Sequence, residues 1–206
     1  MSHAASRMDA PVTTVPPLIF VRHGETAWNA EGRLQGQRDI PLNDKGRAQA
    51  RRNGAAIAGA LADIAGFDFV ASPLGRARES MEIVRTALGL DPSIYRLDDR
   101  LMEISFGRWE GFTGDELSVR DPEAVAARDA DKWEFVPPGG ESYRLLSDRV
   151  ARWLVALDRP TLVVAHGGVG RVLRARVLGV DPFASLTGFF PQDSAFQWRN
   201  GAESVI

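Results

Sequence analysis

The sequence predicts an α/β fold: a three-layer α/β/α sandwich with a mostly parallel central sheet and a helical or loop insertion over the active-site crevice. Short apolar runs alternate with alanine- and arginine-rich stretches of helical character, the pattern of strands joined by crossover helices. Two of those runs, Leu18-Ile19-Phe20-Val21-Arg22 and Thr161-Leu162-Val163-Val164-Ala165, end in His23-Gly24 and His166-Gly167. If the two strands are parallel neighbours in one sheet, both imidazoles open into the crevice at the carboxyl ends, where such sheets bind ligands. At 206 residues, with 44% hydrophobic and 25% charged residues, the chain suits one domain with a substantial core.

In chain order, residues 1–17 are small, polar and proline-rich and read as a flexible tail ahead of a single domain over 18–206. Leu18 to Arg22 is the first strand. Asn43 or Asp44 caps a helix running to about Leu61, which Gly54 and Gly59 weaken by about 1 kcal/mol each against alanine. Phe67 to Ala71 is a second strand, and Ser72-Pro73 reads as the cap and first residue of a helix to Leu88. Ile94 to Leu97 is a short third strand. Residues 106–140 form the insertion: 112–133 are polar and acidic with weak helical character, and Pro137-Pro138-Gly139-Gly140 ends them. Leu145, Val150, Leu154 and Leu157 mark a helix over 141–157. The second histidine strand, a helix from Gly168 to about Leu178 and a strand from Ala195 to Arg199 complete the chain.

Composition excludes several classes of function. Cysteine is absent, so disulfides, thiolate catalysis and cysteine-ligated metals are ruled out. A net charge of −2 gives no general attraction to nucleic acid or to an anionic membrane surface. No apolar stretch approaches the roughly 20 residues of a membrane helix, and residues 1–17 lack the apolar segment of a secretory signal, so a cytoplasmic protein is expected. Phosphate-loop, nucleophile-elbow and His-Glu-x-x-His signatures are missing, and two body histidines leave little for a zinc site. No metal and no cofactor are expected. Lysine occurs only at 45 and 132; the remaining positive charge is arginine, which grips phosphate through two parallel hydrogen bonds.

A neutral imidazole nitrogen such as that of His23 can attack phosphorus, provided its other nitrogen is held by an acceptor. The string Arg22-His23-Gly24-Glu25-Thr26-Ala27-Trp28-Asn29 resembles the signature of the histidine phosphatase superfamily, in its phosphoglycerate mutase-like branch. Leu34-Gln35-Gly36-Gln37, Ser72-Pro73-Leu74-Gly75-Arg76-Ala77, Glu103 through Trp109-Glu110-Gly111, Pro138-Gly139-Gly140-Glu141-Ser142 and His166-Gly167-Gly168 extend the resemblance in the family's order.

The resemblance implies a phosphohistidine on His23, with Arg22 and Arg76 clamping the phosphoryl oxygens and His166 donating to the transferring group. A cation such as Arg76 in the first turn of a helix is unfavourable without an anion beside it, and a bound phosphate would supply one. The resemblance, not spacing, selects Glu103 over Glu110 as general acid and base; one carboxyl serves both steps if burial raises its proton affinity. Asn29, Gln35, Gly36 and Gly167 match positions that line the phosphate or substrate. Trp28 is expected in the core. Phe106, Trp109, Phe112, Trp133 and Phe135 either wall the site or pack the insertion onto the body.

Mutases of the family follow the glutamate with Arg-His-Tyr, whereas Glu103 precedes Ile104-Ser105-Phe106. That departure favours a phosphatase of a small-molecule phosphate ester over a phosphoglycerate mutase. A phospho-ligand binding protein without turnover is the reading from another class. Substrate and oligomeric state stay open.

Overall fold

The computed structural model describes residues 15–61, 64–188 and 190–206. Six strands form one sheet in the order β3-β2-β4-β1-β5-β6. They are β1 (Leu18–Arg22), β2 (Asp68–Ala71), β3 (Arg96–Leu97), β4 (Thr161–Ala165), β5 (Ala195–Arg199) and β6 (Ala202–Val205). The first four are mutually parallel; β5 runs antiparallel to β1, and β6 to β5.

The alternation along β1 divides the core in two, because successive side chains leave a strand on opposite faces. Ile19 and Val21 pack with Ile57 of α2 (Asp44–Ala60) and with Ala77, Met81 and Val84 of α3 (Gly75–Ala87). Leu18 and Phe20 face the other layer, where α6 (Tyr143–Leu154) contributes Leu146, Val150 and Trp153, and α7 (Gly167–Leu178) contributes Val169, Val172 and Leu173. Leu18, Ile19, Phe20 and Val21 are all fully buried, each worth about 1.5–3 kcal/mol against exposure. The expected three-layer α/β/α architecture is present.

Gly54 has a packing reason. A side chain there would meet Ala87 Cβ at 2.6 Å, so the glycine lets α2 and α3 approach. Asn43 caps α2, its Oδ1 accepting from Gly46 N at 2.8 Å.

The insertion is more helical than its sequence indicates. A 3-10 turn at Gly107–Trp109 precedes α4 (Gly114–Arg120) and α5 (Pro122–Ala130). Thr113 caps α4 in a reciprocal box with Glu116. Trp109, Leu117 and Trp133 are buried in the α6–α7 core, and Trp109 stacks on Phe135 at 5.3 Å. These aromatics pack the insertion onto the body.

Several expectations are corrected. Helix α3 begins at Gly75 with Leu74 as its cap, two residues later than Ser72-Pro73 would set it. Ser142 caps α6, its Oγ accepting from Leu145 N at 3.2 Å, so that helix spans 143–154 rather than 141–157. Of the expected tail, residues 1–14 lie outside the described residues, while Val15 packs against the core and Pro17 O accepts from Thr161 N. Trp28 is only partly buried and sits against Gly111 of the insertion. Short helices α1 (Ala27–Ala30) and α8 (Pro182–Leu186) and strand β6 were not foreseen.

Candidate active site

The sheet register brings the two histidines together. Arg22 of β1 pairs with Ala165 of β4, and His23 N donates to Ala165 O at 2.9 Å. The next residues on these neighbouring parallel strands are His23 and His166. Their ring centroids are 5.1 Å apart with the planes inclined by 60°. Both rings are almost entirely shielded from solvent.

His23 has one defined tautomer. Its Nδ1 lies 2.7 Å from Gly24 O, and a carbonyl only accepts, so Nδ1 carries the proton and Nε2 the lone pair. Burial, then the charges of Arg76 and Arg22, hold the His23 imidazole well below its ordinary value near 6.5, which keeps the ring neutral. Arg76 Nε donates toward His23 Nε2 at 3.3 Å. The neutral lone pair thus faces a guanidinium.

Arg76 is 1% exposed. Its Nη1 donates to Arg38 O at 2.6 Å and its Nη2 to Gly36 O at 2.7 Å. The Gln35 amide, with its oxygen toward Arg76, shares the single Arg76 Nε–H with His23 Nε2, accepting it at 2.6 Å, and donates to Thr26 Oγ1 at 2.5 Å. Burial pushes the guanidinium down to about 10, against the opposing pull of Glu103, Asp39 and Glu110. The expected conflict between a cation and the start of α3 is relieved within the protein: Asp39 Oδ2 accepts from Gly75 N at 2.9 Å, and Asp39 Oδ1 lies 4.0 Å from Arg76 Nη1.

Arg22 donates from Nη1 to Phe190 O at 2.8 Å, while its buried Nε has no hydrogen-bond partner among the described residues. Burial lowers its guanidinium too. A side chain at Gly167 would start 3.5 Å from that Nε, so this glycine leaves the space beside the guanidinium open. His166, the residue capping α7, is held well below its ordinary value by burial and by the charge of Arg76. Its Nε2 lies 2.7 Å from Ser72 Oγ, and its Nδ1 is buried without a partner among the described residues.

Glu103 reaches the same end of the sheet from the other side. Its Oε2 accepts from Gly168 N at 3.1 Å in the first turn of α7, and its Oε1 from Ile104 N at 2.9 Å. The Glu103 carbonyl is fixed by Gln37 Nε2 and by Arg149 Nη2, each at 3.0 Å. Arg149 is itself held by both carboxylate oxygens of Glu141 at 2.8 Å. The Pro138–Ser142 motif therefore serves to place Glu103.

Glu110, the rejected alternative, is a structural residue. Its Oε1 accepts from Gln37 N and Phe106 N at 3.1 Å and lies 3.3 Å from Ser105 Oγ. Gly36, at φ +54°, sits directly against that carboxylate. Asn29 accepts at Oδ1 from Thr26 N and from Gln192 Nε2, so it binds the loop after β1 to the 190–192 segment.

Sequence reading missed three partners. Ser72, a helix cap by its sequence context, contacts His166. Ser80 Oγ accepts from Gly24 N at 3.1 Å and donates to Arg76 O at 2.7 Å, which ties the loop after β1 to α3. Gln192 Nε2 donates to His23 O at 3.1 Å. Ser72 and Ser80 flank Arg76 in sequence, and that was the available signal; Gln192 offered none.

Residues 18–188 match the model of the histidine phosphatase superfamily, branch 1. The chain is 36% identical over 176 residues to a glucosyl-3-phosphoglycerate phosphatase of Mycolicibacterium vanbaalenii, covering 79% of this chain and 74% of that one. It is 36% identical over 179 residues to phosphoglycerate mutase-like protein 4 of Arabidopsis thaliana, covering 83% and 75%. The crystal structure of an alpha-ribazole phosphatase from Shigella flexneri superposes with a TM-score of 0.77 at 27% identity, covering 92% and 94%. Among the described residues no helix is long and apolar enough to cross a membrane. With two neutral imidazoles, the guanidiniums of Arg22 and Arg76 and the carboxyl group of Glu103 gathered at the ends of β1 and β4, the chain is a phosphatase-type enzyme belonging to the histidine phosphatase superfamily, branch 1.

Proposed function

We propose that the enzyme hydrolyses a small phosphorylated metabolite through a phosphohistidine on His23, without a metal ion. The observation that carries this reading is the His23 tautomer: Nδ1 is committed to Gly24 O, and the lone pair of Nε2 lies at Arg76. In the first step Nε2 bonds to phosphorus as the ester P–O bond breaks, and Glu103 gives its proton to the departing alkoxide. In the second, Glu103 takes a proton from water, the hydroxide bonds to phosphorus and the P–N bond breaks, releasing inorganic phosphate and neutral His23.

Arg22 and Arg76 spread the charge on the transferring oxygens, the work a bound cation does elsewhere. Two unit charges 4 Å apart interact by about 4 kcal/mol at an effective dielectric near 20. The orphaned Arg22 Nε and His166 Nδ1 are the donors available to those oxygens. Ser72 Oγ accepts weakly from Leu74 N at 3.4 Å and offers its own proton to His166 Nε2, which leaves the imidazole proton on Nδ1.

The test is turnover of p-nitrophenyl phosphate, expected for the wild type in the presence of EDTA and lost by at least about 1,000-fold in His23→Ala. An acid-labile, alkali-stable phosphoenzyme should be trapped only when His23 is present. Absence of turnover on a broad panel of phosphate esters would overturn the proposal. Conversion of 3-phosphoglycerate, dependent on 2,3-bisphosphoglycerate, would instead identify a mutase.

A further inference from the structure

We propose that the active site continues into a second anion-binding subsite, formed by Arg171 of α7 and by Lys132 at the end of the insertion, both set against Tyr143. It selects phosphate esters that carry a further carboxylate or phosphate group. The inference rests on the phosphatase reading for the end of the substrate that meets His23.

Arg171 borders the phosphoryl site directly. Its Nη1 is 3.7 Å from the point where a Gly167 side chain would begin, and Arg22 Nε is 3.5 Å from that same point. The two guanidiniums therefore overlook one space. Yet the hydrogen-bond partners of Arg171 are neutral: Gly188 O at 3.0 Å from its Nε and the Tyr143 hydroxyl at 3.3 Å from its Nη1. Lys132 is half-buried and places Nζ 5.9 Å from the centroid of the Tyr143 ring. Among the described residues no carboxylate lies within 4 Å of either cation.

Partial burial removes some of the hydration of Lys132 and Arg171 and supplies no counter-charge in return. Here burial and the charges of Arg128 and Arg171 act against the Lys132 ammonium, with Asp129 the one opposing charge. Asp129 is itself 3.8 Å from Arg128. Tyr143 is fully enclosed, and burial pushes its phenol up, so the hydroxyl accepts from Arg171 and keeps a proton to donate. Arg171 borders the proposed phosphoryl position, and Lys132 lies against the ring of the tyrosine whose hydroxyl Arg171 contacts, so two cations flank one side chain at the edge of the site. An ester whose remainder is uncharged leaves that charge uncompensated. One with a second anionic group neutralises it.

The subsite is tested by calorimetric titration of the His23→Ala protein, which prevents the proposed turnover from obscuring binding. The probes are 3-phosphoglycerate, propane-1,3-diol bisphosphate and glycerol 3-phosphate, the last lacking a second anion. At least one of the first two is expected to bind about tenfold more tightly than glycerol 3-phosphate, in line with one charge-assisted hydrogen bond. Which of them does so separates a carboxylate subsite from a phosphate subsite. Adding Lys132→Met should collapse that ratio and Lys132→Arg should restore it. Equal affinities for all three probes, or a ratio that survives Lys132→Met, would overturn the subsite. The phosphatase reading fails separately, by absence of p-nitrophenyl phosphate turnover in the wild type.

Discussion

Ser72 Oγ lies 2.7 Å from Nε2 of His166, so the hydroxyl proton and the proton of the second imidazole are coupled across one contact. With Ser72 donating, Nδ1–H is left to face the substrate; without it, the neutral ring is free to adopt the other tautomer. Ser72→Ala should lower kcat about tenfold with little change in KM, as expected for loss of one hydrogen bond felt mainly in the transition state. Ser72→Thr should recover part of the loss. Nitrogen-15 shifts of His166 report the tautomer independently of rate.

The two glutamates should separate cleanly by experiment. Glu103→Gln is expected to lower kcat by about 100-fold or more on an alkyl phosphate, and by much less on p-nitrophenyl phosphate, whose leaving group needs no proton. Unfolding free energy should change little. Glu110→Ala removes the acceptor shared by Gln37 N and Phe106 N. It should lower stability by about 2–3 kcal/mol and raise KM as the 35–38 loop loosens. Denaturant titration beside steady-state kinetics distinguishes the two patterns.

Stability should fall in acid because of the buried imidazoles. Both are held below their ordinary value near 6.5, so below that pH the unfolded chain binds protons that the folded chain refuses. Stability is then complete above about pH 6.5 and declines as pH falls, by up to about 1.4 kcal/mol per pH unit for each histidine. His166→Asn should reduce the slope of melting temperature between pH 6.5 and 5. An unchanged slope would mean that His166 titrates alike in both states.

Two glycines offer a contrast in packing. A side chain at Gly24 would collide with the backbone of Gly46, including its Cα at 2.7 Å, whereas at Gly59 nothing lies within 4 Å. Gly24→Ala should cost about 1–3 kcal/mol and reduce kcat, since its carbonyl is what orients His23. Gly59→Ala should stabilise α2 by about 0.5–1 kcal/mol with activity intact. Thermal melts and kinetics on the two variants check both statements.

Much of this was legible in the residues. The apolar runs ending in His23 and His166 placed both rings on strand ends, and the periodicity of α6 was clear from Leu145 onward. The order of motifs marked Arg22, Arg76 and Glu103 as a set. The hairpin of β5 and β6 has its signal in Asn200-Gly201, whose positive φ values of 54° and 74° suit a tight turn. Less legible was anything dependent on long-range pairing. Ser72 passes for a helix cap until β4 brings His166 beside it. Weak periodicity left 112–133 with only weak helical character, while the signals that start α4 and α5 are local: the Thr113–Glu116 capping box and Pro122 in the first turn, with only Leu117 fully buried.

The strand that leads into His23 is synthesised long before its neighbours in the sheet, residues 161–165 on one side and 195–199 on the other. Arg22 and His23 are further tied to Phe190 and Gln192. During translation, then, the Arg22-His23 motif must wait for much later segments before it can take shape. A nascent or prematurely terminated chain carries every early signature yet lacks the bracing that arms it, so phosphate esters meet a competent enzyme only after residues 190–199 have emerged and docked.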